Sequence, residues 1–391
     1  MEPIKRRRFG STGLEVTQVS LGAMNLRMLD SEDDAKAMIH KALDMGINLL
    51  DTARVYNEQK PDGRLFESET FVKEALCEHE KLDEPVIVIT KGHGYNHEAF
   101  DEDLHMSRQK LGIETLHDLK IGAQDIKLVY FFHGVTRERY DEMKASGALK
   151  HALALKNQGY FDYLGFSSHN GHEQVVCEAI DSGYFQVVEL PYNVFAPGFG
   201  QYTQRYGNIL KKAHQKGVAI INMKAFGGTS MVTNTKIFKD YCDISPQNRL
   251  RYCLSNPYIA TVDAGCRYPE ELDADIAVSH MEPFSGEECA ELEGLAKRVA
   301  QAMEGECREC THCLEKFSCP EGLDFPKLLA LHTRYKLSRE FSGDIDEIKN
   351  AYSLIEDKAD KCAACGQCLE WCEYRIDIPG LLEQAHTVLG S

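Results

Sequence analysis

No run of apolar residues in this 391-residue chain reaches the ~18 residues that a membrane-spanning helix requires. Positive charge is also scarce, because 44 lysines and arginines stand against 61 aspartates and glutamates, for a net charge of −17. Such a chain is poorly suited to nucleic acid, whose phosphates must be neutralised by a basic surface. The one dense basic run, residues 5–8, is not followed by the apolar stretch of an export signal. We therefore expect a cytoplasmic protein that binds neither membrane nor nucleic acid.

Low-complexity and disordered segments are lacking as well. Hydrophobic residues make up 43% of the chain and charged residues 27%, which is the balance of an ordinary globular protein. The length exceeds the roughly 100–200 residues of a single domain. We predict a large domain at residues 1–283 and a small one at residues 284–391.

Short apolar runs alternate with helical patterns before residue 270. The runs are VSLGAMN (19–25), INLLDTA (47–53), VIVITK (86–91), KLVYFFHG (127–134), YLGFSSH (163–169), VVELPYN (187–193), VAIINMKAF (218–226) and TVDAGC (261–266). Nearly continuous apolar runs are typical of parallel strands that are covered on both faces. Eight β-α alternations predict a closed (β/α)8 barrel, with a doubly wound open sheet as the alternative.

Several of these runs end in residues that can take part in chemistry. Asp51 closes the second run, Lys91 the third and His133 the fourth, and Tyr56 follows Asp51 in the next loop. Barrel enzymes carry their active sites where the strands end and the following loops begin. We therefore expect the four side chains to meet in one pocket.

A pocket with these four groups suits proton transfer to oxygen. A tyrosine phenol, with a pKa of ~10 in water, is a poor proton donor at neutral pH unless its conjugate base is stabilised. A lysine ammonium favours the phenolate, and a carboxylate keeps that lysine in place and charged. A neighbouring histidine can orient a carbonyl oxygen. The set suits protonation of a carbonyl oxygen as hydride reaches the carbon, or the reverse oxidation of an alcohol.

The segments that carry these residues resemble the aldo-keto reductases. RFGSTGLEVTQVSLGAMN resembles the opening hairpin and first strand of that family, and LLDTARVY, TKG and FFHG match the segments with its catalytic tetrad. The resemblance covers about residues 5–280. It implies that Tyr56 is the general acid/base, that Lys91 tunes it, that Asp51 holds Lys91 and that His133 orients the substrate.

The same resemblance implies an NADP or NAD cofactor in an extended pose, and no glycine-rich Rossmann turn is evident. Ser168 and Glu189 stand where the family offers asparagine and glutamine to the nicotinamide amide. The usual cationic grip on the 2′-phosphate is reduced to Arg267, with Lys224 or Arg249 as additional candidates.

Barrel enzymes often bind phosphate after strands seven and eight. In this chain those positions are MKAFGGTS, with Gly227, and AGCRYPEE, with Gly265. A flavin is therefore an alternative cofactor.

Eight of the 14 cysteines lie within residues 307–372, while the others are scattered, as small buried hydrophobes are. Each of two runs places thiolates at i, i+3 and i+6. Three thiolates with this spacing can bind three irons of one 4Fe-4S cubane. In two-cluster ferredoxins the fourth cysteine of each run ligates the other cluster. We therefore assign one cluster to Cys307, Cys310, Cys313 and Cys372, and the other to Cys362, Cys365, Cys368 and Cys319.

Zinc is the alternative ligand of these thiols. A four-coordinate zinc takes CxxC pairs from two separated knuckles and has no use for a third cysteine three residues on. Disulfides are disfavoured in the cytoplasm. The tail also resembles the ferredoxin-type domain appended to a subset of aldo-keto reductases, with Pro320 after Cys319 as in that pattern, but with Glu373 replacing the proline after Cys372. Helical patterns between the two runs predict a helical ferredoxin-like domain.

These features together predict an oxidoreductase that interconverts a carbonyl and an alcohol. Hydride chemistry moves two electrons and each cluster moves one, so exchange between them would need a flavin or another converter. An external redox partner such as ferredoxin is a further possibility. Two alternatives stay open, namely an electron-transfer module with a non-catalytic barrel and a non-redox lyase or epimerase with Lys91 or Tyr56 as its base.

Overall fold

The computed structural model describes residues 3–227, 241–307, 312–372 and 374–390, without the side chains of residues 312 and 315. The chain divides into two compact units. The first contains residues 1–225 and 250–283, and the second contains residues 226–249 and 284–391. The predicted boundary between residues 283 and 284 stays a prediction. In the part of the chain that is described, no helix combines the length and apolar character of a membrane span.

Eight parallel strands form a closed barrel in the first unit. The strands of the unit are β1 (Arg6–Arg8), β2 (Glu15–Thr17), β3 (Val19–Gly22), β4 (Leu49–Asp51), β5 (Asn57–Gln59), β6 (Leu65–Glu67), β7 (Val86–Gly92), β8 (Lys120–Ile121), β9 (Gln124–Phe132), β10 (Tyr163–Ser167), β11 (Val187–Pro191), β12 (Ala219–Met223) and β13 (Thr261–Ala264). The ring runs β3-β4-β7-β9-β10-β11-β12-β13 and returns to β3. The predicted barrel is confirmed, and the open sheet is excluded by the β13–β3 pairing.

Helices alternate with these strands. They are α1 (Glu32–Asp44), α2 (Ser68–Glu78), α3 (His97–Lys110), α4 (Arg137–Ser146), α5 (Ala148–Asn157), α6 (Glu173–Asp181), α7 (Ile209–Gln215), α8 (Pro246–Ser255) and α9 (Pro269–Ser279), with 3₁₀ turns at Ala23–Met28 and Gly198–Gly200. Helix α1 shows why they form where they do. Ser31 caps its first turn by accepting a hydrogen bond from the Asp34 amide, acidic residues follow, and Gly46 continues the chain with a positive φ of 88°.

Alternation along the strands decides which side chains enter the barrel. The interior is filled by an apolar layer that includes Leu49, Ile87, Ile89, Val129, Phe131, Val187, Ala219 and Ile221. Side chains of a strand point to one face at every second position, so the residues two positions further along continue the same face. On β4, β7 and β11 those residues are Asp51, Lys91 and Glu189. The charged layer therefore lies directly above the apolar layer.

The described part of the second unit is helical. Its further helices are α10 (Gly286–Ala302), α11 (His312–Lys316), α12 (Phe325–Phe341), α13 (Ile345–Ser353) and α14 (Ile378–Leu389), with 3₁₀ turns at Ala359–Lys361 and Leu369–Trp371. Helix α12 packs against α13 and α14 around a core that includes Leu329, Tyr352 and Ala385. The cysteines at the ends of the connecting segments pack against this core.

Candidate functional site

The barrel brings together Asp51, Tyr56, Lys91 and His133. Lys91 is fully buried, and its Nζ donates hydrogen bonds to Asp51 Oδ1 and to the Thr52 carbonyl, the latter at 3.2 Å. Its Nζ lies 5.2 Å from the centroid of the Tyr56 ring. The Tyr56 and His133 rings meet edge to face, with centroids 5.8 Å apart and planes at 85°. Strand ends that are distant in sequence thus converge on one phenol.

A hairpin holds the loop that carries Tyr56. Strands β5 and β6 pair antiparallel directly after it, and the Ser68 amide donates a 2.9 Å hydrogen bond to the Tyr56 carbonyl. The hairpin therefore closes at Tyr56 itself and fixes the backbone from which the phenol projects.

Two further carboxylates surround the lysine. Glu189 Oε2 lies 3.6 Å from Lys91 Nζ, and a carboxylate oxygen of Asp263 lies within 4.8 Å of oxygens of both Asp51 and Glu189. We call Asp51, Glu189 and Asp263 the carboxylate cluster. The sequence reasoning missed Asp263, although one signal was visible, namely a charge within the otherwise apolar run TVDA.

Burial, Lys91 and the carboxylate cluster together determine the electrostatics of the Tyr56 phenol. Burial by itself would lower the pKa of Lys91, but Asp51 and Glu189 raise it, and the net pKa lies well above that of ordinary lysine. Burial raises the pKa of the Tyr56 phenol, Lys91 lowers it, and the carboxylate cluster raises it again, so that it lies above the usual value. In this structure the phenol is therefore held in its protonated form.

His133 is held neutral. Burial lowers the pKa of His133 to about 2, with further lowering from Lys91 and from His93 and His169. The His93 ring stacks on it at a centroid distance of 4.6 Å. The Nδ1 atom of His133 is buried without a hydrogen-bond partner among the described residues. A neutral imidazole offers one donor and one acceptor, which suits a carbonyl or hydroxyl ligand.

Replacing His133 with glutamine should make the free energy of unfolding fall less steeply as the pH is lowered. The folded-state pKa lies below the unfolded value of ~6.5, so the unfolded chain binds more protons and stability falls as pH drops below that value. Between roughly pH 6.5 and pH 5, the free energy of unfolding should fall by about 1 to 2 kcal/mol less in the variant than in wild type. Urea unfolding at several pH values measures the difference, with the exposed His105→Gln as control. Equal slopes for wild type and His133→Gln would contradict the assignment of His133 as a buried neutral group.

Two of the candidate nicotinamide contacts are engaged within the protein. Ser168 is fully buried, and its Oγ donates a 2.7 Å hydrogen bond to the Val135 carbonyl. Glu189 faces Lys91 at 3.6 Å. Both side chains therefore already have partners within the protein, and their role at a nicotinamide stays a prediction.

The candidate phosphate contacts lie at the ends of the last two strands. Lys224 is exposed after β12 and adopts a left-handed φ of 59°, which a lysine rarely does, and Asn193 Nδ2 donates to its carbonyl at 3.0 Å. Gly265 and Arg267 are exposed after β13. Lys224 and Arg267 are therefore exposed cations that follow two paired strands, β12 and β13.

The remaining two candidates for phosphate binding belong to the second unit. Gly227 has a left-handed φ of 90°. Arg249 is fully buried, with Nε donating to the Ile244 carbonyl at 2.8 Å and Nη1 to the Phe226 carbonyl at 3.0 Å. These bonds engage most of its guanidinium group within its own unit.

Four cysteines of the second unit line one cavity. They are Cys319, Cys362, Cys365 and Cys368, which meet Phe317, Leu323, Phe325 and Leu382 in its wall. This cysteine-lined cavity has a volume of about 20 Å³ and is partly open to solvent. The loop that carries three of the thiols turns sharply, with positive φ at Ala364 (48°) and Gly366 (72°). Burial raises the pKa of the Cys368 thiol to about 11, and the other three thiols of the cavity add to the shift.

The other four cysteines are described only in part. Cys307, Cys313 and Cys372 are half-buried and pack against the core of the unit, whereas Cys310 lies outside the described residues. Helix α11, which contains Cys313, packs against the 3₁₀ turn Leu369–Trp371, which precedes Cys372. Parts of the two cysteine runs therefore lie together. Cys319 lines the same cavity as Cys362, Cys365 and Cys368, and the 3₁₀ turn before Cys372 contacts helix α11, which contains Cys313.

Comparisons with known proteins agree with this barrel. Protein tas of Escherichia coli is 24% identical over 74% of this chain and 96% of its own length. The uncharacterized oxidoreductase YqkF of Bacillus subtilis is 23% identical over 75% of this chain and 97% of its own. Among solved structures, the holo form of aldo-keto reductase AKR11C1 from Bacillus halodurans superposes with a TM-score of 0.58 at 20% identity, covering 75% of this chain and 96% of that one.

The family itself is identified by a sequence model. That model, described as the aldo/keto reductase family, matches residues 18–292 and therefore ends before the cysteine-rich tail. Since the match spans more than half of the chain and the barrel is closed as in that fold, this protein belongs to the aldo/keto reductase family of oxidoreductases.

Proposed function

We propose that the barrel interconverts a small-molecule carbonyl and an alcohol, with Tyr56 as the general acid/base. The observation that carries this proposal is the position of one buried ammonium. Lys91 Nζ bonds to Asp51 while lying 5.2 Å from the Tyr56 ring centroid, and His133 contacts the same ring edge to face. A protonated phenol beside a neutral imidazole can receive a carbonyl oxygen, because both can donate a hydrogen bond to it.

Reduction of the carbonyl requires one hydride and one proton. Hydride adds to the carbonyl carbon, the π electrons move to oxygen, and the Tyr56 hydroxyl proton transfers to that oxygen to complete the alcohol. The phenolate left behind faces the Lys91 ammonium, which stabilises it until a proton returns. Neutral His133 orients the oxygen without competing for the proton, because its lowered pKa keeps the ring uncharged.

Aldo-keto reductases typically use NADP(H), and the residues fit its phosphates better than its amide. Lys224 and Arg267 are exposed cations that follow the paired strands β12 and β13, and Gly265 lies at the end of β13, which suits phosphate. Ser168 and Glu189 are engaged elsewhere. A bound dihydronicotinamide would supply the hydride.

We further propose that the second unit binds two 4Fe-4S clusters. The cysteine-lined cavity unites one run of three cysteines with the fourth cysteine of the other run, which is the ligand pattern of a two-cluster ferredoxin. The same crossed pattern would give the other cluster Cys307, Cys310, Cys313 and Cys372. Such clusters would supply one-electron transfer, a flavin would be needed to couple them to hydride, and an external ferredoxin could exchange single electrons with them.

The spacing of the sulfurs argues against zinc. Four thiolates around one zinc at ~2.3 Å have sulfurs about 3.8 Å apart. No three of the described cysteines have their sulfurs within 4.8 Å of one another. A cubane spreads its thiolates more widely, since each binds a different iron.

One anaerobic preparation tests both proposals. Iron and acid-labile sulfide are measured per chain, bound flavin is measured by its absorbance, and NADPH oxidation is followed with a panel of aldehydes and ketones. We expect about eight irons and eight sulfides per chain and NADPH consumption with at least one carbonyl. Stoichiometric zinc without sulfide would overturn the cluster proposal, and no turnover with any carbonyl or alcohol would overturn the barrel proposal.

A further inference from the structure

One ammonium in the barrel faces three carboxylates. Lys91 Nζ bonds to Asp51 and lies 3.6 Å from Glu189, and Asp263 completes the carboxylate cluster. A single ion pair would need only one of these acids. The two additional acids are therefore not required to hold the lysine, and their presence beside the phenol calls for another role.

The barrel is built to admit the third acid. Gly22 on β3 faces Asp263, and a Cβ at that position would lie 2.6 Å from Asp263 Oδ2. The glycine thus leaves the space that the carboxylate fills. Two oxygens of the cluster, Asp51 Oδ2 and Asp263 Oδ1, are buried without a hydrogen-bond partner among the described residues. Unpartnered acceptors of this kind are costly to bury in ionised form.

The charge balance follows from this arrangement. Three ionised carboxylates against one ammonium would leave two uncompensated negative charges in the barrel, and each buried unpaired charge costs several kcal/mol. The cluster therefore holds at least one proton. In agreement, burial raises the pKa of Asp263 well above its usual value, and Asp51 and Glu189 raise it further.

The surroundings of Asp263 contain few other groups that titrate. From β3 it is faced by Ser20 and by Gly22, neither of which is charged. Asp51 on β4, Lys91 on β7 and Glu189 on β11 are the charged groups that act on it, and the Tyr56 phenol and the Cys266 thiol are titratable neighbours. Among these groups Lys91 is the one cation.

We propose that Glu189 and Asp263 are positioning residues that together carry the negative charge left on the cluster after one proton is bound, and that this charge offsets Lys91 at the Tyr56 phenol, helps to keep the phenol protonated, and so favours carbonyl reduction over alcohol oxidation. This inference rests on the proposed carbonyl-alcohol chemistry, because it assigns that chemistry a direction. Reduction begins from the phenol, which donates its proton, whereas oxidation begins from the phenolate, which accepts one. An arrangement that suppresses the phenolate slows oxidation and leaves the proton donor in place.

The direct test is a titration of the phenol that needs no turnover. The protein contains 17 tyrosines, so ¹³C-labelled tyrosine is observed by NMR from pH 7 to pH 11 and the Tyr56 signal is assigned with Tyr56→Phe. In wild type we expect this signal to stay neutral throughout. Because the cluster already holds a proton, the loss of one acid can be compensated by release of that proton, so the midpoint should fall by about one pH unit or more in the double variant and by less in Glu189→Gln or Asp263→Asn alone. Asp33→Asn, which changes an exposed carboxylate of α1, is the matched control and should shift nothing.

The kinetic test uses the same variants. The pH dependence of kcat for alcohol oxidation should move to lower pH in the variants, while kcat for reduction at neutral pH should change less. An unchanged Tyr56 midpoint in the double variant would overturn the inference, and if the double variant did not fold, unchanged midpoints in both single variants would overturn it. The failure of all carbonyls and alcohols to react would overturn the proposed chemistry instead, and the NMR midpoints would still decide whether the two acids act on the phenol.

Discussion

Replacing Tyr56 with phenylalanine is expected to lower kcat for carbonyl reduction by about 10²- to 10⁴-fold, which is the usual contribution of a positioned general acid. The change removes one oxygen and leaves the ring between Lys91 and His133 in place. Substrate binding should be affected much less than turnover, because the interaction that is lost develops in the transition state. Steady-state NADPH oxidation measures both parameters.

Controls separate chemistry from folding in this experiment. Tyr202 is 81% exposed, and Tyr202→Phe makes the same chemical change on the surface, so it should keep full activity. Lys91→Met should also lose most activity, because it removes the ammonium that stabilises the phenolate and leaves Asp51 buried without its partner. Reduction that survives in Tyr56→Phe at more than a tenth of the wild-type rate would remove Tyr56 from the mechanism.

Replacing Cys365 with serine should remove one of two clusters. Cys365 is exposed, so the substitution itself disturbs little packing, yet it deletes one of the four proposed ligands in the cysteine-lined cavity. Iron and sulfide should fall from about eight to about four per chain. The second unit should also unfold at a lower temperature, because its core packs around the same cysteines. Metal and sulfide analysis with thermal unfolding provides the measurement.

The crossed assignment allows a sharper comparison. Cys319→Ser should lose the same cluster as Cys365→Ser, and Cys372→Ser should lose the other, so the electron paramagnetic resonance spectra of the reduced variants should fall into two groups. Cys77→Ser, an exposed cysteine on α2 of the barrel unit, is the control and should retain all the iron. Identical residual spectra for Cys319→Ser and Cys372→Ser, or full iron in Cys365→Ser, would contradict the assignment.

The barrel and its candidate catalytic residues were accessible from the sequence for a local reason. Parallel strands that are covered on both faces appear as continuous apolar runs, and the chemistry of such a barrel lies at the ends of those runs. Asp51, Lys91 and His133 stand at such ends, so their sequence positions already predict that they share one pocket. The predicted barrel was confirmed, and the roles of these residues stay proposals.

Asp263 was not accessible in this way. Its position in the eighth strand is visible, but Asp263 approaches Asp51 on β4 only because β13 pairs with β3, and that pairing joins strands more than 200 residues apart in the chain. Whether an acid in that strand faces Lys91 or the surrounding helices depends on register, and a shift of one residue would reverse it.

The sequence by itself determined the family, the barrel and the presence of two cysteine runs with cluster spacing, because each depends on short segments whose pattern reflects burial or ligand spacing. Tertiary structure decided that one ammonium faces three acids, that Gly22 makes room for Asp263, and that Cys319 meets the second cysteine run. These are contacts between segments distant in the chain. Their distances follow from how strands close and helices pack, which no local pattern specifies.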